Sequence, residues 1–414
     1  MSQLDPRLRV WRWRVFAATW FGYIGYYMCR KPFYIAKASL GDAVGLDASM
    51  LGVIGSAYLA AYAVGQVTAG LVGNKVGPRL LVLVGLAITI GVNIAFGFTN
   101  SWAGLTALMA VNGLAQASGW PGNVGSIAPW YGRHERGTVM GFWSTNFQVG
   151  GVAANALASF VLGLYGYQYA FFAGSLVAML IWVNFLINQR NRPEDVGLEP
   201  LDVEEDEASN GGPAGWSRQM IVNILIVGCF YFCVKFIRYA LWSWAPYILN
   251  QRYGLAPDDA GYVSTIFDLS GISGVIFIGF LSDRFFKARR AKVSFLFMAL
   301  LVLACTALYT VGQSGVVLFA VCMGVIGFSL YGPDALMTGA GAIDVASPRG
   351  ATLAAGLING MGSVGPIVQE LVLGRLLDSH GVGAVFGVLL AAAIGGICAL
   401  GVLLLRNRRG LADV

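Results

Sequence analysis

The sequence predicts an all-α membrane protein of twelve transmembrane helices, arranged as two pseudo-symmetric six-helix bundles. Hydrophobic residues make up 57% of the 414 residues and charged residues 12%, whereas soluble domains carry about 25% charged residues. Apolar segments long enough to cross a hydrocarbon core of about 30 Å recur along the chain. Short sequence patterns also recur after about half of the chain. These observations exclude an ordinary soluble domain, and the basic residues flank apolar segments, so the net charge of +6 does not indicate a nucleic-acid partner.

The twelve helices are predicted from uninterrupted apolar runs. We place them at 12–38, 48–73, 78–97, 102–128, 137–164, 167–188, 217–249, 258–283, 292–312, 315–342, 350–377 and 382–405. At a rise of about 1.5 Å per residue, each is long enough to span a bilayer. Trp120-Pro121 is expected to bend the fourth helix.

A long polar stretch separates the sixth and seventh predicted helices. It contains three prolines, a Gly-Gly pair and the acidic run Glu204–Glu207, a composition typical of a flexible solvated spacer. We therefore expect an N-terminal bundle at 1–188, a cytoplasmic linker at 189–216 and a C-terminal bundle at 217–414.

Lysines and arginines predict the orientation, because they accumulate in cytoplasmic loops. One side of the predicted bundle receives most of them: the amino terminus, Lys75, Arg79, Arg133, Arg136, the stretch 284–292, Arg349 and the tail 406–409. The opposite loops hold little beyond Lys37, Arg252 and Arg375. Both termini are therefore expected in the cytoplasm.

An internal repeat supports the two-bundle arrangement. The run Gly70–Lys75 follows the second helix, and the similar run Gly279–Arg284 follows the eighth helix, 209 residues later. Each is a glycine-led helix end followed by an acid or amide and a base. Their spacing, close to half of the chain, indicates a parallel repeat with a binding site near the midplane.

Arg30 and Arg238 are the most informative residues, because each lies inside a long apolar run and they are 208 positions apart. A cation in the hydrocarbon region costs about 2.5–3.5 kcal/mol or more, so such residues usually face a polar cavity. A guanidinium is always charged and fits phosphate or carboxylate bidentately. The two arginines therefore predict an anion site.

Further polar side chains follow the helical repeat of each arginine. Tyr23, Tyr26 and Tyr27 precede Arg30, while Tyr231, Lys235 and Trp242 flank Arg238. Among the acids predicted within the membrane, Asp268 could neutralise Lys235 or Arg238 or form a structural ion pair. Asp334 could likewise form a structural pair, and Glu370 could carry a coupling proton.

The run from Tyr23 through Arg30-Lys31-Pro32-Phe33 resembles the first-helix signature of the organophosphate:phosphate antiporter family, within the major facilitator superfamily. Similar stretches are 113–121, 135–137, 238–246, 267–274 and 327–333. The resemblance implies exchange of an organic phosphate for inorganic phosphate, with Arg30 and Arg238 gripping the phosphoryl group.

Two departures bear on the substrate. Phe147 stands where glycerol-3-phosphate transporters have a histidine, and Gln66 stands where they have a lysine. The chain's two histidines, His134 and His380, lie in predicted loops. These departures argue against glycerol-3-phosphate, whereas the eighth helix and the run Gly360–Gly365 resemble the sugar-phosphate branch of the family. Asn146 and Gln148 remain able to bind hydroxyl or phosphate groups.

The expected function is therefore exchange of a sugar phosphate for inorganic phosphate by a monomer in the inner plasma membrane. The substrate-binding candidates are Arg30, Arg238, Lys31, Lys235, Tyr23, Tyr26, Tyr27, Gln116, Trp120, Asn146, Gln148, Asp268 and Asn359. No catalytic, cofactor or metal motif is present in the sequence. The alternatives are a transporter-like sugar-phosphate sensor and a proton-coupled sugar-acid symporter.

Overall fold

The computed structural model describes residues 5–131, 139–140, 142–143, 145–199, 218–285, 290–338 and 340–411. In these ranges the regular structure is helical and no strand occurs, so the predicted all-α architecture is confirmed. Several predictions lie outside the described residues: they concern His134, Arg133, Arg136, the stretch 135–137 and the acidic run Glu204–Glu207.

The helices before the linker are α1 Pro6–Met28, α2 Lys31–Val44, α3 Ala48–Val76, α4 Pro78–Phe98, α5 Trp102–Gln116, α6 Gly119–Ile127, α7 Thr145–Tyr165 and α8 Tyr167–Asn188. Those after it are α9 Arg218–Tyr253, α10 Pro257–Phe285, α11 Arg290–Thr310, α12 Val316–Thr338, α13 Ala340–Ser379 and α14 Val382–Arg408. Within the described residues, nine helices are long and apolar enough to cross a membrane.

The first predicted helix, 12–38, is not continuous, which corrects the sequence-based prediction. It breaks between α1 and α2, where the N–H groups of Cys29 and Arg30 bond to carbonyls three residues back. Pro32 has no N–H to donate to the carbonyl of Met28, four residues earlier. Gly174 of α8 packs against that carbonyl, and an added Cβ there would lie 2.2 Å from Met28 O. The break places Arg30 at a helix junction.

The fourth predicted helix, 102–128, is also divided, with α5 ending at Gln116 and α6 beginning at Gly119. The expected bend at Trp120-Pro121 is confirmed. Pro121 cannot donate to the carbonyl of Ala117, and that carbonyl instead accepts a hydrogen bond from Gln66 Nε2 at 3.4 Å. Ser118 satisfies a second carbonyl, because its hydroxyl donates to Ala115 O at 2.6 Å.

Contacts divide the chain into two compact units, Met1–Leu46 with Ala57–Asp206, and Asp47–Ser56 with Glu207–Val414. Within the second unit, Asp378 at the end of α13 accepts hydrogen bonds from the N–H groups of Ala48 and Ser49, at 3.0 and 2.7 Å. Asp47 accepts a third, from the N–H of Met50 at 2.7 Å. Carboxylates therefore satisfy three of the unpaired donors at the start of α3.

Glycines allow a close helix crossing in the second unit, between α10 and α12. A Cβ on Gly274 would lie 2.0 Å from Phe328 O, and one on Gly327 would lie 2.4 Å from Phe267 O. The two backbones approach at both points because neither glycine has a side chain, as is usual where membrane helices pack.

Candidate functional site

Arg30 is buried at the junction of α1 and α2. Its Nε donates to Gln116 Oε1 at 2.8 Å, and its guanidinium carbon lies 5.0–5.5 Å from the ring centroids of Tyr27, Tyr58 and Tyr62. Within the described part of the chain, the two terminal nitrogens donate to no protein acceptor and no carboxylate pairs with the guanidinium. The side chain is thus held at one edge while its outer N–H groups remain available to an anion.

Gln116 fixes the orientation of Arg30. Its Oε1 also accepts a hydrogen bond from Tyr58 OH at 2.9 Å, and its Nε2 donates to Asn112 Oδ1 at 3.0 Å. Asn112 in turn donates to Cys29 O, next to Arg30, at 3.3 Å. This closed chain of neutral groups positions the guanidinium without cancelling its charge.

Aromatic rings continue from Arg30 along α1. The Tyr23 ring lies 5.9 Å from Tyr27 and 5.8 Å from both Trp120 and Trp143, and the two tryptophan rings are 5.4 Å apart. Trp120 is more than one-third exposed, whereas Trp143 is fully buried. Trp120 therefore offers an accessible face, and Trp143 supports it.

The other candidates of the first unit have different surroundings. Tyr26 is fully buried; its hydroxyl contacts Ser118 Oγ at 2.8 Å, which turns it toward α6 rather than toward Arg30. Lys31 is buried beside Gly151 of α7. Asn146 is fully buried, and neither of its amide atoms has a hydrogen-bond partner among the described residues. Gln148, also on α7, is half-buried.

Arg238 of the second unit already has an acidic partner. Its Nη1 donates to Asp334 Oδ2 at 2.6 Å, and its guanidinium stacks 4.4 Å from the centroid of Tyr331. The hydroxyl of Tyr331 donates to Asp268 Oδ1 at 2.6 Å. Asp334 rather than Asp268 therefore forms the ion pair, while Asp268 orients the ring on which the arginine rests.

Lys235 lies one turn before Arg238 on α9 and contacts neutral groups of α13. Its Nζ donates to Asn359 Oδ1 at 2.9 Å and to Ser363 Oγ at 3.3 Å, and it lies 4.6 Å from the centroid of the Tyr231 ring. Asn359 is exposed. Lys235 is therefore held by an amide and a hydroxyl of α13.

Glu370 is fully buried in α13 and accepts a short hydrogen bond from the hydroxyl of Ser243. Its carboxyl group packs against Gly55, where an added Cβ would meet the carboxyl carbon at 2.8 Å. The carboxyl group is therefore held by Ser243 and packed against α3.

Sequence reasoning missed several residues of these two constellations. Tyr58, Tyr62 and Asn112 surround Arg30, and Tyr331 and Ser363 belong to the second unit. The i,i+4 spacing of the two tyrosines in α3, similar to the spacing already noted in α1, was a signal that could have identified them. Tyr331 lies in the family-like stretch 327–333 but was not predicted as a site residue.

Several curated proteins are similar in sequence to this chain over nearly its whole length. The glycerol-3-phosphate transporter of Bacillus subtilis is 28% identical over 95% of this chain and 92% of its own. A probable hexose phosphate transport protein of Chlamydia pneumoniae is 27% identical, covering 94% and 90%. The membrane sensor protein UhpC of Salmonella typhimurium is 27% identical, covering 96% and 92%. These names confirm the resemblance to organophosphate:phosphate antiporters.

The fold is similar to that of a solved transporter. A bacterial homolog of the human lysosomal transporter Spinster, in an inward-facing and unoccupied conformation, superposes with a TM-score of 0.76 at 14% identity, covering 94% of this chain and 96% of that one. The sequence model of the Major Facilitator Superfamily matches residues 19–368 and 227–412. The chain is therefore a multi-pass membrane transporter, not an enzyme, and it belongs to the Major Facilitator Superfamily.

Proposed function

We propose that this chain is a secondary antiporter that exchanges an organic phosphate ester, a sugar phosphate, for inorganic phosphate. One observation carries the proposal: Arg30 is buried with a carboxamide and three phenol rings around it, and its terminal nitrogens have no protein acceptor in the described residues. A buried cation without a counter-charge is costly. A phosphoryl group supplies that charge and fits the guanidinium fork.

In this proposal Arg238 also binds the transported anion, and to do so it must first loosen its contact with Asp334. The two arginines therefore play unequal roles. Arg30 attracts the anion, because it lacks a carboxylate partner among the described residues. Arg238 exchanges one anionic partner for another, so its net charge interaction changes little between the loaded and empty states.

The ester's sugar would lie against hydroxyl, amide and aromatic groups. Tyr23, Tyr27 and Trp120 offer aromatic faces near Arg30, while Asn146 offers a buried amide without a partner in the described part of the chain. Lys235 with Asn359 offers a second cation and an exposed amide. Such groups reject analogues that lack the matching hydroxyls.

The transport cycle in this proposal is alternating access by a monomer of the inner membrane, with both termini cytoplasmic. Residues 1–188 and 217–414 would act as the two bundles and 189–216 as their linker. Exchange is favoured over uniport, because the conformational change is easier when an anion neutralises Arg30 than when Arg30 lacks a counter-charge.

The test is counterflow in proteoliposomes. Purified protein is reconstituted with internal inorganic phosphate, and uptake of labelled glycerol, triose and hexose phosphates is measured. Hexose phosphate uptake that requires internal phosphate is expected. Vesicles without phosphate but with an imposed proton gradient form the control. Equal uptake in those vesicles would instead establish a proton-coupled symporter and contradict the exchange proposal.

A sensor is the second candidate, because one relative is a membrane sensor protein. Sensor and exchanger both predict ligand binding, so binding alone does not separate them. A sensor predicts that hexose phosphate raises the melting temperature of the purified protein while the reconstituted protein shows no counterflow. An exchanger predicts both effects together.

A further inference from the structure

A cavity of about 460 Å³ lies at the amino-terminal end of α1, within the first unit. Its lining includes Arg9, Arg12, Trp13, Phe16, Trp20 and Phe142. Among the described residues, the lining does not include Gln116, Tyr27, Tyr58 or Tyr62, which surround Arg30, so the cavity is separate from the surroundings of Arg30. Its volume lies in the range of small-molecule sites, about 300–1,000 Å³.

The cavity changes from cationic to apolar along α1. Its arginines lie at the start of the helix, with Arg7 and Arg14 nearby, and no charged residue occurs from Val15 to Cys29. From Arg9 to Trp20 the helix rises about 16 Å. The Trp13 and Phe142 side chains are about two-thirds exposed, at 65% and 69%. Large exposed apolar side chains on a membrane protein indicate contact with lipid.

Contacts within the protein hold this cavity open. The guanidinium of Arg12 stacks 5.1 Å from the Tyr131 ring centroid, and Tyr131 OH donates to Arg12 O at 3.0 Å. Trp20 Nε1 donates to Thr145 Oγ1 at 3.1 Å, which joins α1 to α7. The walls are therefore fixed on both sides before any ligand arrives.

We propose that this cavity binds one anionic phospholipid, with its phosphate at Arg9 and Arg12 and an acyl chain along Phe16, Trp20 and Phe142. The polarity of the cavity runs in the same sense as that of a phospholipid, from a charged end to an apolar end. Basic pockets at the ends of membrane helices bind anionic head groups in this way. A free sugar phosphate matches the arginines but would leave its hydroxyl groups facing six apolar or aromatic side chains.

Two arginines at about 1 kcal/mol each predict roughly thirty-fold tighter binding of anionic than of zwitterionic lipid. The probe is brominated phosphatidylglycerol or brominated phosphatidylcholine in vesicles holding the full-length protein, read by quenching of tryptophan fluorescence. The fluorescence that is quenched by lipid bound in the cavity should reach half-maximal quenching at a much lower mole fraction of brominated phosphatidylglycerol than of brominated phosphatidylcholine. Trp13→Phe and Trp20→Phe should each remove part of that fluorescence, because both indole rings line the cavity.

Arg9→Gln tests the head-group contact at an exposed residue, so the fold is retained. It should reduce the lipid preference by about five-fold, which is the share of one arginine. Arg408→Gln, at an exposed arginine near the end of α14, is the matched control and should leave the preference unchanged. An unchanged preference in Arg9→Gln, or an equal loss in both variants, overturns the proposal. So does relief of the selective quenching by soluble glucose 6-phosphate, which would assign the cavity to a free phosphate ester.

Discussion

Replacing Arg30 by lysine tests the anion site with its charge preserved. An ammonium can still donate to Gln116 Oε1, which now accepts from Arg30 Nε at 2.8 Å. It cannot also present the planar pair of terminal nitrogens that, within the described chain, carry no protein acceptor. The variant therefore keeps the attraction and loses the bidentate geometry.

The magnitude follows from one lost hydrogen bond to a charged group. Such a bond contributes about 1.5–3 kcal/mol, so exchange should fall by roughly 10- to 150-fold. Tyr58→Phe removes the second donor to Gln116 Oε1 and leaves the fork in place. A neutral bond contributes about 0.5–1.5 kcal/mol, so the effect of this variant should be several-fold smaller.

The assay is phosphate–phosphate counterflow in proteoliposomes, which needs no knowledge of the organic substrate. Initial rates are compared at equal amounts of reconstituted protein, with Arg408→Lys as a control at an exposed arginine. If Arg30→Lys exchanges phosphate within two-fold of the unmodified protein, the bidentate role of Arg30 is refuted, and with it the reasoning from its open terminal nitrogens.

Three further predictions concern charge, packing and an unpaired amide. Asp334→Asn removes the carboxylate partner of Arg238, whose side chain is 24% exposed. The free energy of unfolding should therefore fall by about 3 kcal/mol, near the lower end of the range for buried ion pairs. Added phosphate should raise the melting temperature of the Asp334→Asn variant in detergent more than that of the unmodified protein. An equal rise in both proteins would contradict the assigned pairing. Gly274→Ala should cost about 1–3 kcal/mol, because its Cβ would lie 2.0 Å from a backbone oxygen, whereas Gly279→Ala on the same helix meets nothing within 4 Å and should be nearly neutral in thermal unfolding. Asn146→Ala should slow exchange without loss of stability, since it removes amide atoms with no partner among the described residues, while Asn93→Ala breaks bonds of 2.8 and 3.0 Å and should lose about 1–3 kcal/mol. A melting temperature that falls equally in both asparagine variants would show that Asn146 is structural.

The sequence was informative at residues whose own chemistry is costly in a membrane helix, such as charged side chains and prolines. Burying a cation in lipid is expensive, so Arg30 and Arg238 were identifiable from one apolar run each. Pro121 was likewise identifiable as a bend, because a proline always removes one backbone donor. The same reasoning applied to Pro32 would have placed the first break correctly. The prediction of a continuous helix over 12–38 was wrong, because the apolar run continues past Pro32 although that proline removes a backbone donor.

The sequence by itself determined the class of protein, since composition and apolar segment length depend on the solvent and not on how helices pack. It also determined which residues carry charge within the apolar segments. Only the tertiary structure decided their partners: Asp334 rather than Asp268 for Arg238, and an amide with phenol rings for Arg30. The partner of each charged side chain depends on how each helix is rotated and on where helices cross, and glycine contacts between distant segments set those crossings. The helical repeat of a single segment does not contain that information.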